Sequence, residues 1–268
     1  MTRHPCLWFG VAALIGSACA DPEEPARVEL DVVADASGLV PVETNLGYQV
    51  ELTEARVVVE DLTFATAGEL HTAWRWRSLT DWVIPSAHAH PGHYQGGDIT
   101  GELRGHFVVS WLPTAAEPLG RATLLVGSYE SVNFTFAHAA ADDGLASDDP
   151  LSTHTALLRG QAARDGSTVD FVATIDSPIG RELVGAAFQV TVTETSPTRL
   201  AFRFLTRDTF EGDTLFDDLD FLALDGDGDG QLAIAPEATD EALVAAYDQL
   251  RRTFQTHDHF DVRALQAP

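Results

Sequence analysis

The chain contains no lysine, and its 16 basic side chains are all arginine, set against 41 acids. The net charge is −25 at pH 7 with histidines neutral. A field of that sign disfavours nucleic acid and anionic lipid as partners and concentrates cations near the surface. An acidic surface also keeps a protein soluble, which accounts for the charge alone but not for the placement of the histidines. Cysteine is almost absent: only Cys6 and Cys19 occur. Everything beyond them has neither a disulfide nor a thiolate ligand, so any metal there is held by nitrogen and oxygen. No apolar run reaches the about 20 residues a membrane-spanning helix needs. The G-x-S-x-G and H-E-x-x-H patterns are missing, so no recognised hydrolase motif supports an enzyme.

The opening "MTRHPCLWFGVAALIGSACADPEEP" reads as an export signal, with Arg3 as its positive start, an apolar run over 7–15 and the small residues Gly16, Ser17 and Ala18. Cys19 comes directly after them and resembles a bacterial lipoprotein box, with Gly16 where leucine is usual. The expected organisation is a lipoprotein signal peptide over 1–18, lipidation at Cys19, a polar tether over 19–27 and one folded domain over 28–268. Cleavage near Ala18 or Ala20 without lipid is the alternative. Membrane contact is then through the N-terminal lipid only, with the domain exported into the cell envelope on an outer-membrane anchor. Removal of Arg3 with the signal leaves the mature chain one unit more negative.

Period-two alternation dominates residues 27–206. "RVELDVVA" (27–34), "YQVELTEARVVVEDLTF" (48–64), "GHFVVSW" (105–111), "RATLLVG" (121–127), "SVNFTFA" (131–137), "STVDFVATI" (167–175), "AAFQVTVTET" (186–195) and "RLAFRFLT" (199–206) suit half-buried strands. Gly, Pro, Asp and Ser clusters separate them. The pattern predicts an all-β fold, an antiparallel β-sandwich or barrel, with a single C-terminal α-helix over 239–254. In that helix Leu243, Ala246, Tyr247, Leu250 and Phe254 share a face, Thr239 is the expected N-cap, and Arg251 and Arg252 complete the last turn.

Five of the ten histidines fall in two short clusters. "PSAHAHPGHYQGGD" (85–98) holds His88, His90 and His93, and "HDH" holds His257 and His259 just after the helix. In extended chain, residues i and i+2 point the same way, so His88 and His90 can converge, and Pro91-Gly92 can turn His93 toward them. The same geometry lets His257 and His259 face one way with Asp258 as an outer acceptor. His154, at the entry to another expected strand, is a further candidate. Neutral imidazoles suit copper and zinc, copper being favoured here. The alternative is that these are surface histidines fixing irregular turns. A cupin pattern is excluded, since Tyr94 and Gln95 stand where a glutamate belongs and Glu102 is too distant.

A second candidate lies in "DTLFDDLDFLALDGDGDGQLAIAPE" (213–237). Asp225, Asp227 and Asp229 take positions 1, 3 and 5 of a calcium loop, with Gly230 at the turn and Gln231 offering its carbonyl. Position 12 is Pro236 rather than glutamate, and Glu237 comes one residue late. Three alternating aspartates repel one another unless a cation neutralises them. The expected ligand is calcium, in a structural role, against the alternative of a solvated acidic turn.

"ETNLGYQVELTEARVVVEDLTFA" with a histidine-rich loop after it resembles the opening of MbnP-like copper-binding proteins. The blocks "HAHPGHYQGGD", "DDPL..HTA", "GDTLFDDLDF" and "THDHF" resemble exported lipoproteins of myxobacterial type over most of the chain. The resemblance implies histidine-held copper, sometimes beside an oxidised tryptophan, with Trp82 as the analogue here. It transfers no individual ligand. The residues themselves favour strand packing for "WRWRSLTDW", with Trp rings inward and Arg outward. Three functions stay open: a metal-binding exported lipoprotein, a metalloenzyme at the same histidines with Asp98, Glu102 or Asp258 as acid or base, and a calcium-stabilised surface interaction domain.

Overall fold

The computed structural model describes residues 26–66, 99–112 and 118–265. In chain order, the described strands are β1 (Arg27–Ala34), β2 (Val42–Glu43), β3 (Gln49–Thr66), β4 (Ile99–Leu112), β5 (Pro118–Leu125), β6 (Gly127–Phe136), β7 (Ala156–Arg164), β8 (Ser167–Ile175), β9 (Glu182–Val192), β10 (Arg199–Phe204), β11 (Gln231–Ile234) and β12 (Phe260–Leu265). The helices are α1 (Phe221–Leu224), a single turn, and α2 (Glu241–Phe254).

The all-β expectation holds, in its barrel form. Around the ring the order is β3, β4, β5, β1, β10, β12, β9 and β6, and β6 pairs with β3 again. The ring closes nearly completely, with a single registered pair, Asp261↔Ala187, at the β12–β9 seam. Most pairings are antiparallel, but β1–β10, β9–β12 and β8–β11 are parallel. These partners are far apart in sequence, and the long connections between them permit the parallel direction.

Strand β3 is the branch point of the sheet. One edge pairs with β4, while the other meets β7 along its first half and β6 along its second. This explains why "VVV" interrupts the alternation. Val57 and Val59 enter the barrel core, and Val58 packs on the outside with Ala137, Leu151 and Leu157. From β7 the sheet continues through β8 to β11, a side wing that ends beside α2.

Aromatic rings fill the barrel. Trp111, Phe134, Phe136, Phe202, Phe204 and Phe260 are buried, and Phe254 of α2 joins them 5.6 Å from Phe260. Full burial of one such side chain contributes about 1.5–3 kcal/mol. Helix α2 buries Ala246, Tyr247, Leu250 and Phe254, as its spacing predicts. Its N-cap is Asp240 rather than Thr239, because the Asp240 carboxylate reaches the amides of both Ala242 and Leu243 at 2.9 and 3.2 Å.

Candidate metal centre

The acidic loop is held at both ends before any ion is considered. At its start, Phe221 of α1 packs edge-on against Tyr48 and lies 5.2 Å from Phe171. The Tyr48 hydroxyl donates to Asp220 and accepts from the Leu222 amide at 2.9 Å. Burial, then the bond to Asp220, pushes this phenol above its ordinary range. Arg164 sits 4.2 Å over the Tyr48 ring and reaches Asp220 at 3.3 Å. At the loop's end, Leu232 and Ile234 are buried, and β11 lies in parallel register with β8, Gln231 opposite Asp170. The Asp170 amide donates to the Gly230 carbonyl at 2.9 Å.

Between these anchors the chain coils on itself. Asp225 Oδ2 accepts from the Gly230 amide at 2.9 Å, Asp227 Oδ1 from Asp229 at 3.3 Å, and Asp229 Oδ1 from Gln231 at 2.7 Å. Gly228 and Gly230 have φ of +70° and +78°, a conformation other residues adopt only with strain. The result brings one carboxylate oxygen each from Asp225, Asp227 and Asp229 within 4.8 Å of one another. Among the described residues this is the one group of three or more potential metal ligands of that kind.

Asp225 carries a further mark. It is only 9% exposed, and its Oδ1 is buried with no hydrogen-bond partner among the described residues. Burying an unpartnered carboxylate oxygen is costly, and a loop that served only as a turn would not need it. Hard oxygen donors on a tight loop are the kind of ligand calcium takes.

The histidines are distributed differently. His88, His90 and His93 lie outside the described residues, as do Trp82, Asp98 and Cys19. The "HDH" segment is a short 3-10 turn, His257–His259, not extended chain. Successive side chains in such a turn rotate by about 120°, so His257 and His259 do not share a direction as expected. His257 lies 3.1 Å from Asp258. His259 is 2% exposed and its Nδ1 donates to the Leu205 carbonyl at 2.9 Å. Burial lowers its pKa despite that bond and the nearby Asp208, so it sits neutral in the core. His154 Nδ1 bonds Asp176 at 2.9 Å, and its Nε2 lies 3.9 Å from Glu237.

A histidine that carries no signal in the sequence is held at both ring nitrogens. His106 on β4 has Nδ1 3.1 Å from Glu60 and Nε2 3.0 Å from Asp143. Its site is shaped by a bulge in β3, where Asp61 has φ of +47° and accepts the Gly105 amide at 2.9 Å. Because both ring nitrogens face carboxylates, both act as donors in the imidazolium form. Burial lowers the His106 pKa, but the bonds to Glu60 and Asp143 outweigh it and the net shift is upward. A raised native pKa stabilises the fold below the unfolded value of about 6.5 and loses that contribution as pH rises through the native value. In unfolding titrations between about pH 6 and pH 8, wild-type stability should therefore fall more steeply than that of His106→Gln. Parallel pH curves for the two proteins would contradict this.

The fold and the loop together define a class: a nearly closed β-barrel with a side wing that carries a loop of three clustered aspartates. No family model, curated protein or solved structure matches the chain.

Proposed function

We propose that the protein is an exported, lipid-anchored, metal-binding β-barrel domain that holds calcium in the Asp225–Asp229 loop. The observation that carries this reading is the buried, unpartnered Asp225 Oδ1 beside the Asp227 and Asp229 carboxylates. Calcium supplies the missing partner and neutralises the three charges. Its role is structural, tying α1 to β11 at the edge of the side wing. Binding to the native state alone stabilises by about 2.7 kcal/mol at a hundredfold excess over Kd, or roughly 5–10 °C in Tm. Thermal melts with calcium against chelator should show that rise in wild type and none in Asp225→Asn. An equal rise in the variant would refute the loop as the site.

A transition metal, copper in preference to zinc, is the second part of the proposal. Support comes from the sequence, where His88, His90 and His93 fall within six positions between the residues of β3 and β4, and from the resemblance to MbnP-like proteins. Elemental analysis of untagged protein from the cell envelope should find copper near one equivalent, lost in a His88→Ala/His90→Ala double variant. Copper content unchanged in that variant would remove those histidines from the site. The lipid at Cys19 belongs to the same proposal, and Cys19→Ser should release the protein from the membrane fraction.

A further inference from the structure

The connection from β6 to β7 covers part of the outside of the barrel, and two polar ties of different kinds hold it there. Strands β3 and β4 present three facing pairs to that side: Arg56 opposite Ser110, Val58 opposite Val108 and Glu60 opposite His106. Val58 forms a small apolar cluster with Leu157 of β7 and with Ala137 and Leu151 of the connection. Ala139 and Leu145, also from the connection, pack against that cluster, as does Val108. At the far end Asp149 is bound by Arg56 at 2.8 Å, and Glu54 steadies Arg56 at 2.7 Å. A guanidinium keeps its charge, so this tie is permanent. Nearer the tip the tie is Asp143, whose Oδ2 meets His106 Nε2 at 3.0 Å and accepts the Ala140 amide at 2.6 Å. The other ring nitrogen faces Glu60 at 3.1 Å. This second tie can titrate.

We infer that His106 is a proton-operated clasp: charged, it draws the 137–149 connection onto the outer face of the barrel, and neutral, it lets the tip of that connection lift. Glu60 belongs to the barrel and Asp143 to the connection, so the ring stands between two anions on separate elements. As an imidazolium it donates to both and supplies the cation between them. After losing a proton it has one N–H for two carboxylates, and two like charges face each other across a neutral ring. The neighbouring cation on β4, Arg104, is engaged by Glu102 at 2.8 Å. Asp61, in the adjoining bulge, holds the Gly105 amide and adds negative charge, as do Asp142 and Asp148 of the connection, which also carries His138. Lifting the tip withdraws Ala139 and Leu145 and uncovers apolar surface around Val58 and Val108, while Arg56 keeps the Asp149 end in place. The upward shift of the His106 pKa puts the changeover above about pH 6.5.

Hydrogen exchange of the full chain, read by mass spectrometry as protection factors corrected for the intrinsic rate at each pH, tests this. The amides of Ala139, Ala140 and Asp143 are each hydrogen-bonded, so their exchange reports on the tip. In wild type, peptides from 137–149 should lose protection about fivefold or more between about pH 5.5 and about pH 8. Peptides from β7 should keep theirs, because the opening is local. His106→Gln carries no charge at either pH, so its 137–149 peptides should be weakly protected throughout, without pH dependence. Asp143→Asn alters the other side of the tie, leaves the strands untouched and should remove the pH dependence as well. Wild-type protection that stays constant across the range, or is absent at both ends of it, would overturn the inference. So would a pH dependence that persists in either variant, or a loss shared equally by β7.

Discussion

Trp111→Ala should lower the unfolding free energy by about 3–5 kcal/mol, the largest loss expected from a single truncation in this barrel. Trp111 is 1% exposed, and its indole Nε1 donates to the Phe202 carbonyl at 2.9 Å. Its ring lies 5.5 Å from those of Phe202 and Phe204 and 6.5 Å from Phe260. These neighbours come from β10 and β12, across the barrel sequence from β4, so the indole ties distant parts of the ring together. Truncation removes the ring contacts, leaves a cavity among rigid aromatics and takes one of two donors from the Phe202 carbonyl, which keeps the Asp35 amide at 3.0 Å. Denaturant titration should show the midpoint shift, with Tm lower by about 10 °C. Trp111→Phe should recover much of the packing but not the hydrogen bond. A loss below about 1 kcal/mol for the alanine variant would mean that this residue does not sit in the barrel core.

Asp261→Ala should cost a comparable amount for a different reason. Arg203 is 5% exposed and Asp261 7%, and they face each other across the β10–β12 pair. Asp261 Oδ1 accepts from Arg203 Nε at 2.7 Å and Oδ2 from Arg203 Nη2, while Arg263 adds a contact at 3.2 Å. Removal of the carboxylate leaves a guanidinium buried without its counter-charge, which costs about 3–5 kcal/mol. Replacing both partners with apolar residues, as in Arg203→Met/Asp261→Leu, should restore most of that loss, because the pair's attraction largely offsets its own desolvation. A double variant as unstable as the single one would show that the pair contributes more than mutual neutralisation.

The same pair explains part of what the sequence concealed. "FDVRAL" (260–265) does not alternate as a half-buried strand should, since Phe260, Asp261 and Val262 are buried in succession. A buried aspartate reads as a turn residue until its arginine is known to sit opposite. Strand β11 was hidden by length, having four residues directly after an acidic loop. By contrast, β1 and β8 were legible to the residue: β8 alternates strictly between a packed and an open face, and β1 is bounded by a polar start and an apolar run that ends at Ala34. Helix α2 was legible for the corresponding reason at period 3.6, and only its cap moved by one residue.

The candidate centre was legible where its chemistry is local. Asp225, Asp227 and Asp229 could be read as one group because alternate positions on a glycine-rich loop converge without tertiary help. The single turn α1 before the loop, and the Tyr48–Asp220 contact that fixes it, could not be read, because they depend on residues about 170 positions apart. His106 was missed for the same reason. A lone histidine in an alternating strand carries no local signal, and its partners Glu60 and Asp143 arrive from separate parts of the chain. The shared direction expected for "HDH" failed because the segment just after the helix forms a 3-10 turn rather than extended chain.

The most direct test of the calcium assignment is a calorimetric calcium titration of the chelator-treated full chain, alongside Asp225→Asn. One calcium per chain should bind at the loop in wild type, with no binding heat in the variant. Absence of calcium binding in wild type, or an unchanged isotherm in Asp225→Asn, would contradict it.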